Sequence, residues 1–249
     1  METLIKFECV TKQYIASGRG AYKALVNLNL SIGKGELLTI VGPSGAGKTT
    51  VLNLIGGIEN PSSGKIVLPS LDTQLATGYV FQANTIFPWR TVQRNLTYPL
   101  ELRGVDRNLR QEKAVQLCEM IGLSPETFLS KYPKELSGGE SRRVAIGMAL
   151  AREASLLLLD EPTSQLDYLT KWSIQNTIQR LWLQKRFTVV LVTHDLEEAI
   201  FLGDRVIGLQ AGVIACEVRI DLPRPRIDHM RTTKEFGAYR EQIVTGNNR

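Results

Sequence analysis

The sequence predicts an α/β fold: a mainly parallel sheet core, an N-terminal antiparallel β layer and an inserted helical lobe. Three observations carry this expectation. Short branched apolar runs, Leu37-Leu38-Thr39-Ile40-Val41, Leu156 to Leu159 and Thr188 to Thr193, each end in a glycine-rich or acidic turn. Near-continuous apolar strands of this kind are buried on both faces, and the helical stretches between them supply the crossovers that parallel strands require. From Phe87 to Arg152 the apolar residues change to a helical period.

The elements follow in order. Phe7 and Val10, then Leu25, Leu28 and Leu30, alternate as half-buried antiparallel strands do. Leu109, Lys113, Leu117, Met120 and Ile121 fall near helical spacing, and Glu140 to Ala151 reads as a further helix. The expected organisation is one domain over 1–249, with a nucleotide-binding core of 1–86 and 153–249 and a helical lobe of 87–152. From Leu222-Pro223-Arg224-Pro225 onward, proline punctuation predicts the end of the regular fold. The absence of an internal repeat excludes a solenoid or propeller.

Composition narrows the class. With 249 residues, 43% hydrophobic and 22% charged, the chain is an ordinary globular protein, neither disordered nor fibrous. Its apolar runs are far shorter than the roughly 20 residues needed to cross a bilayer. Met1-Glu2-Thr3-Leu4-Ile5-Lys6 has no secretory pattern, so the chain is expected to stay in the compartment where it is made. Cys9, Cys118 and Cys216 are widely spaced and form no CxxC pair, which argues against a disulfide framework or a zinc site. The net charge of +5 is dispersed and carries no recognition motif, so it reads as a solvated surface and no nucleic-acid partner is expected.

Gly42-Pro43-Ser44-Gly45-Ala46-Gly47-Lys48-Thr49 fits the P-loop pattern and stands where that pattern requires, after an apolar strand and before a helix beginning near Thr49-Thr50. The stretch resembles that of P-loop NTPases, and the resemblance implies their fold, of the RecA-like type. The glycines let consecutive N–H groups turn inward to form an anion site at a helix N-terminus. Lys48 would neutralise the β and γ phosphates and the Thr49 hydroxyl would coordinate Mg²⁺. The alternative is a glycine-rich turn without a ligand.

Leu156-Leu157-Leu158-Leu159-Asp160-Glu161 sets two carboxylates at the end of a buried strand. Asp160 would hold Mg²⁺, and Glu161 would orient and deprotonate a water for attack on the γ phosphate. An acidic strand terminus is the plain alternative. His194 ends another apolar run and could hydrogen-bond the γ phosphate and attacking water; a capping or core histidine is the competing reading.

Leu136-Ser137-Gly138-Gly139-Glu140 resembles the signature of ABC-transporter ATPases. The resemblance extends over nearly the whole chain, because the landmarks stand in that family's order: Tyr14, the P-loop, Gln82, the signature, Asp160-Glu161, Ser164-Gln165-Leu166-Asp167 and His194. On its own, Ser137 also reads as the N-cap of a helix. The resemblance implies that Leu136 to Glu140 serve the ATP held by an opposite subunit, either an identical chain or a sister subunit. It implies that Tyr14 stacks on adenine, with Tyr22 a rival and a core aromatic the plain alternative. Gln82 would join Thr49 and Asp160 at Mg²⁺ and contact the attacking water, and Ser164 and Asp167 would belong to a loop between the two ATP sites. The implied partners are integral membrane permease subunits and, indirectly, an extracytoplasmic solute-binding protein, with the chain peripheral at the cytoplasmic face of the membrane.

Ser141, Gly147-Met148 and Gln165 depart from that family's commonest residues without removing a phosphate-contacting group. Phe87-Pro88-Trp89-Arg90-Thr91-Val92, Asp167-Tyr168-Leu169-Thr170 and Asp221-Leu222-Pro223-Arg224-Pro225-Arg226 are similar to the importer branch serving nitrate, taurine and alkanesulfonates. Phe87 to Arg90 would receive a short helix of a membrane protein, or Phe87 and Trp89 would pack inside. Two rival classes are a soluble ABC ATPase, which usually carries coiled-coil insertions or two halves, and a regulatory module without turnover.

Overall fold

The computed structural model describes residues 2–16, 20–68, 75–83 and 85–247; Met1 and Arg249, the ends of the expected domain, lie outside them. The elements in chain order are β1 (Thr3–Ala16), β2 (Gly20–Gly33), β3 (Leu37–Val41), α1 (Lys48–Ile55), β4 (Ser63–Val67), β5 (Thr77–Val80), α2 (Val92–Leu96), α3 (Tyr98–Glu101), α4 (Arg107–Met120), α5 (Pro125–Phe128), α6 (Gly138–Leu150), β6 (Leu156–Asp160), α7 (Tyr168–Lys185), β7 (Thr188–Thr193), α8 (Leu196–Leu202), β8 (Arg205–Gln210), β9 (Val213–Arg219) and α9 (Lys234–Asn247). They fall into two compact units, Met1–Gln74 with Arg186–Arg249, and Leu75–Lys185.

In the first unit, β1 pairs antiparallel with β2 on one side and β4 on the other. The alternation read from the sequence is the buried set: Phe7, Val10, Leu25, Leu28 and Leu30 are all at most 5% exposed. Beside this layer, β7, β3, β8 and β9 lie next to one another, the first three parallel and β9 returning antiparallel. Every residue of β3 and β7 is buried, as parallel strands covered on both faces require. Each Leu, Ile or Val so enclosed contributes about 1.5–3 kcal/mol of transfer free energy.

The regular fold does not end at Leu222. α9 packs on β9 and β8, with Phe236 and Ile243 essentially inaccessible to water. Its apolar residues are thinly spread among polar ones, so prolines upstream outweighed them in the sequence. The segment joining β9 to α9 is itself fixed by Arg226, whose buried guanidinium donates to the carbonyls of Ile200, Phe201, Gly203 and Ile220. Burial and the neighbouring Arg224 lower its pKa to about 9.

In the second unit, β5 runs parallel to β6, pairing Val80 with Leu159, and the remaining elements are helices. Only part of the helical spacing read in α4 is core: Leu117 and Ile121 are buried, whereas Leu109 is 57% exposed. The helix is poor in apolar residues and buries the narrow stripe Ala114, Leu117 and Cys118. α6 shows why Gly147 departs from the usual residue. A Cβ there would stand 2.6 Å from Leu96 Cδ2 and 3.1 Å from Ile121 Cγ2, so glycine lets α2 and α4 close on the helix.

Candidate functional site

The phosphate loop connects β3 to α1 in the first unit. A Cβ on Gly42 would stand 2.1 Å from the Leu209 carbonyl oxygen, so only glycine fits that close approach. Gly47 holds φ 101°, in the left-handed region, and its absent Cβ would lie 2.4 Å from Ala24 O. Gly47 is also the N-cap of α1. No side chain caps that helix, and its first turn holds no acidic residue. The positive end of the helix is therefore built without a competing carboxylate, as an anion site should be.

Lys48 is buried, and its Nζ donates to the carbonyls of Gly42 at 2.8 Å and Pro43 at 3.0 Å, which sets the ammonium inside the curve of the loop. Pro43, Ser44, Gly45 and Thr49 are exposed, while Ala46 and Thr50 face the interior. A curled backbone, an uncapped helix start and an enclosed ammonium suit a polyphosphate. His194 follows β7 in the same unit and is exposed, so it is not a core histidine. Nor does it cap α8, because Asp195 Oδ1 accepts from the N–H groups of Glu197 and Glu198, both at 3.1 Å. Tyr14 stacks with Tyr22 at 5.5 Å and hydrogen-bonds Glu59.

In the second unit, Asp160 ends β6 and is buried, and Glu161 follows with φ 45°. A left-handed glutamate costs about 1–2 kcal/mol, the kind of local strain found where a side chain is held for a purpose. Gln82, 79 positions earlier in the sequence, donates through Nε2 to Glu161 Oε2 at 3.0 Å. Ser164 Oγ donates to Glu161 O at 3.1 Å, so one of the residues assigned to the inter-site loop braces this turn. Asp167 Oδ1 accepts from Thr170 N at 3.1 Å, and the hydrogen bonding by Thr170 holds its carboxyl below the usual range.

Arg142 was not anticipated. From α6 it donates to Phe81 O at 2.7 Å and Gln82 O at 2.8 Å, which fixes the backbone that presents Gln82. Burial lowers its pKa, while the negative charge of Asp160 opposes that shift. Nothing in the sequence distinguished it from Arg143 beside it.

Ser137 is the N-cap of α6, and a capping box closes around it. Its Oγ accepts from Glu140 N at 3.3 Å while Glu140 Oε2 accepts from Ser137 N at 2.7 Å. Leu136 is half-buried, Ser137 and Gly138 are exposed, and Gly139 packs against Thr170, where a Cβ would meet Cγ2 at 2.4 Å.

The family model described as ABC transporter matches residues 25–164, a span running from before the phosphate loop through the signature turn to Ser164. The chain belongs to the ABC transporter family. This ABC transporter subunit is 43% identical over 249 residues to an uncharacterized ABC transporter ATP-binding protein of Methanocaldococcus jannaschii, across 98% of this chain and 91% of the relative. It is 36% identical to an aliphatic sulfonates import ATP-binding protein of Bacillus licheniformis, across 92% of this chain and 89% of that protein. Among solved structures it resembles the ATP-binding cassette MJ0796, seen as a dimer in a post-hydrolysis state bound to ADP and Pi. The TM-score is 0.77 at 34% identity, covering 88% of this chain and 100% of that one. The protein is thus an ATP-binding and ATP-hydrolysing ABC transporter subunit, and no helix among the described residues is long and apolar enough to cross a membrane.

Proposed function

We propose that this ATPase powers the import of a small anion such as nitrate, taurine or an alkanesulfonate. It works at the cytoplasmic face of the membrane as one of a pair of ATPase subunits. The pair drives integral membrane permease subunits that receive cargo from an extracytoplasmic solute-binding protein. The observation that carries the cargo class is the 36% identity to an aliphatic sulfonates import protein over 92% of this chain.

The residues divide the work. Gly42 to Thr50, with Tyr14 on the base, hold ATP, and Lys48 offsets phosphate charge. Thr49, Gln82 and Asp160 would hold Mg²⁺, which supplies further charge neutralisation at the phosphates when bound. Glu161 takes a proton from the attacking water while Gln82, bonded to it at 3.0 Å, fixes its orientation and His194 steadies the γ phosphate. Leu136 to Glu140 complete the site of the opposite subunit, with Ser164 and Asp167 between the two sites. The lobe of 87–152 carries this signature within a single ATPase domain of 1–249.

The lobe also presents a docking surface. Phe87 is half-buried edge-on to Tyr98 at 4.6 Å, so inward packing describes Phe87, whereas Trp89 is 71% exposed. Nearby, Arg90, Arg94, Arg107 and Arg110 with Glu101 line a cleft of about 350 Å³. An apolar ring beside a cationic cleft suits a short membrane-protein helix that bears an acidic residue.

Two experiments test the reading. In the purified complex with its permease, ATP turnover should rise when binding protein loaded with an alkanesulfonate, taurine or nitrate is added; no rise with any of them overturns the cargo class. Glu161→Gln should reduce turnover by about 10²-fold or more, the range of a general base, while leaving an ATP-bound dimer visible by size exclusion. Unchanged turnover would exclude the role given to Glu161.

A further inference from the structure

A tyrosine near the end of a hairpin strand can swing about two side-chain torsions unless something holds its hydroxyl. Tyr14 is held. Its OH donates to Glu59 Oε2 at 2.6 Å and lies 3.5 Å from Thr50 Oγ1. The other oxygen of Glu59 accepts from Asn53 Nδ2 at 2.9 Å. Thr50 and Asn53 both belong to α1, the helix that begins at Lys48. Lys12 completes the cluster, with Nζ 2.9 Å from Glu59 Oε2, 2.9 Å from the Asn60 carbonyl and 5.0 Å from the centre of the Tyr14 ring.

Both carboxylate oxygens of Glu59 are therefore engaged, by three donors: Lys12 and Tyr14 from β1 and Asn53 from α1. Burial acts to raise the pKa of Glu59, but hydrogen bonds from Tyr14, Asn53 and Lys12 hold it below the ordinary carboxylate value. Burial and the bond to Glu59 raise the Tyr14 phenol, in keeping with its place as the donor of that bond. Tyr22 stacks on Tyr14 at 5.5 Å and 27° and is 57% exposed, widening the aromatic surface.

We propose that Glu59 is a positioning residue for nucleobase recognition: it pins the Tyr14 ring to the helix of the phosphate loop and so sets affinity for the base without touching the phosphates. This rests on the reading of Tyr14 as the face that receives adenine. Ordering the ring beforehand removes an entropic cost that base stacking would otherwise carry. Without Glu59, the phenol keeps only the long contact to Thr50, and Lys12 loses its ion partner.

The test compares equilibrium binding of ADP and of inorganic tripolyphosphate, which has no base, to the full chain. Glu59→Ala should weaken ADP by about 3- to 10-fold, the net worth of one typical hydrogen bond, and leave tripolyphosphate within about twofold. Tyr14→Phe keeps the ring and removes the hydroxyl, so it should match Glu59→Ala, and the double variant should be no weaker than either single one. Glu59→Gln, which still accepts from the phenol, should recover most of the affinity, and with Tyr14→Phe it carries the test if Glu59→Ala fails to fold. Equal losses for tripolyphosphate would overturn the proposal, because Glu59 would then be supporting the phosphate loop itself. If Tyr14→Ala weakens ADP about tenfold, as loss of a stacking ring should, while Glu59→Ala does nothing, the positioning role fails and the adenine face stands. If Tyr14→Ala leaves ADP binding unchanged, the adenine face fails, and the proposal with it.

Discussion

Two helices of this chain, α1 and α6, begin on glycine-rich turns, and they are prepared for anions in opposite ways. α1 starts at a left-handed glycine with no side-chain cap and no acidic residue in its first turn. α6 starts at Ser137, whose own hydroxyl and the carboxylate of Glu140 close a capping box. The first keeps its helix dipole available to a ligand. The second satisfies its first donors internally and places a negative charge where the dipole is positive, which stabilises the helix but opposes an arriving phosphate. The glycine pattern looks alike in both stretches, yet the residue before the helix decides whether the end is open or closed.

That contrast can be broken by substitution. The largest effect is expected for Gly47→Ala, which forces φ 101° on a β-carbon 2.4 Å from Ala24 O. A loss of about 3 kcal/mol or more, a fall in Tm of roughly 6–12 °C and loss of nucleotide binding should follow. A Tm within a degree of the parent would show that α1 does not need this start. Ser137→Ala comes next: the lost cap should cost about 1 kcal/mol, or roughly 2–4 °C in Tm, while ADP affinity of the isolated subunit stays the same. If ADP binding falls in step with stability, the two helix starts are not independent. Glu140→Gln retains an acceptor for the box and removes its charge, so in a Glu161→Gln background it should let the dimer form at lower ATP, by about two- to fivefold. The smallest shift belongs to Gly138→Ala, where φ is ordinary and the new Cβ meets only the end of Leu166 at 3.2 Å. Its Tm should move by less than about 2 °C, and a change as large as that of Gly47→Ala would erase the distinction.

Alanine at both Phe87 and Trp89 probes the lobe separately. Assembly with the membrane subunit, followed by co-purification, should weaken while ATP binding stays intact, with Trp89 responsible for most of the loss because it is the exposed ring. Undiminished recovery of the complex argues for a docking face elsewhere.

The features legible in the sequence are those whose cause is local. The phosphate loop, the strand into Asp160 and the first antiparallel layer are each written in consecutive residues, by glycine spacing or by alternation. The contact between Gln82 and Glu161 was not readable, because it depends on the register that sets Val80 beside Leu159 across 79 positions. Glu59 escaped notice for the same reason: its partners are Lys12, Tyr14 and Asn53, gathered from a strand and a helix. α9 was missed for a different reason, since Phe236 and Ile243 are seven residues apart and the helix is otherwise mostly polar. Its burial comes from fit, with Gly246 admitting the side chain of Cys216.

The guanidinium of Arg142 grips two successive carbonyls just after β5 from a position five residues past Ser137. A planar fork of this kind tolerates little sliding, and each charge-assisted bond is worth about 1.5–3 kcal/mol. A tilt of α6 therefore either drags the Gln82 backbone along or breaks both bonds, so the turn that opens α6 and the amide beside Glu161 behave as two ends of one stiff lever.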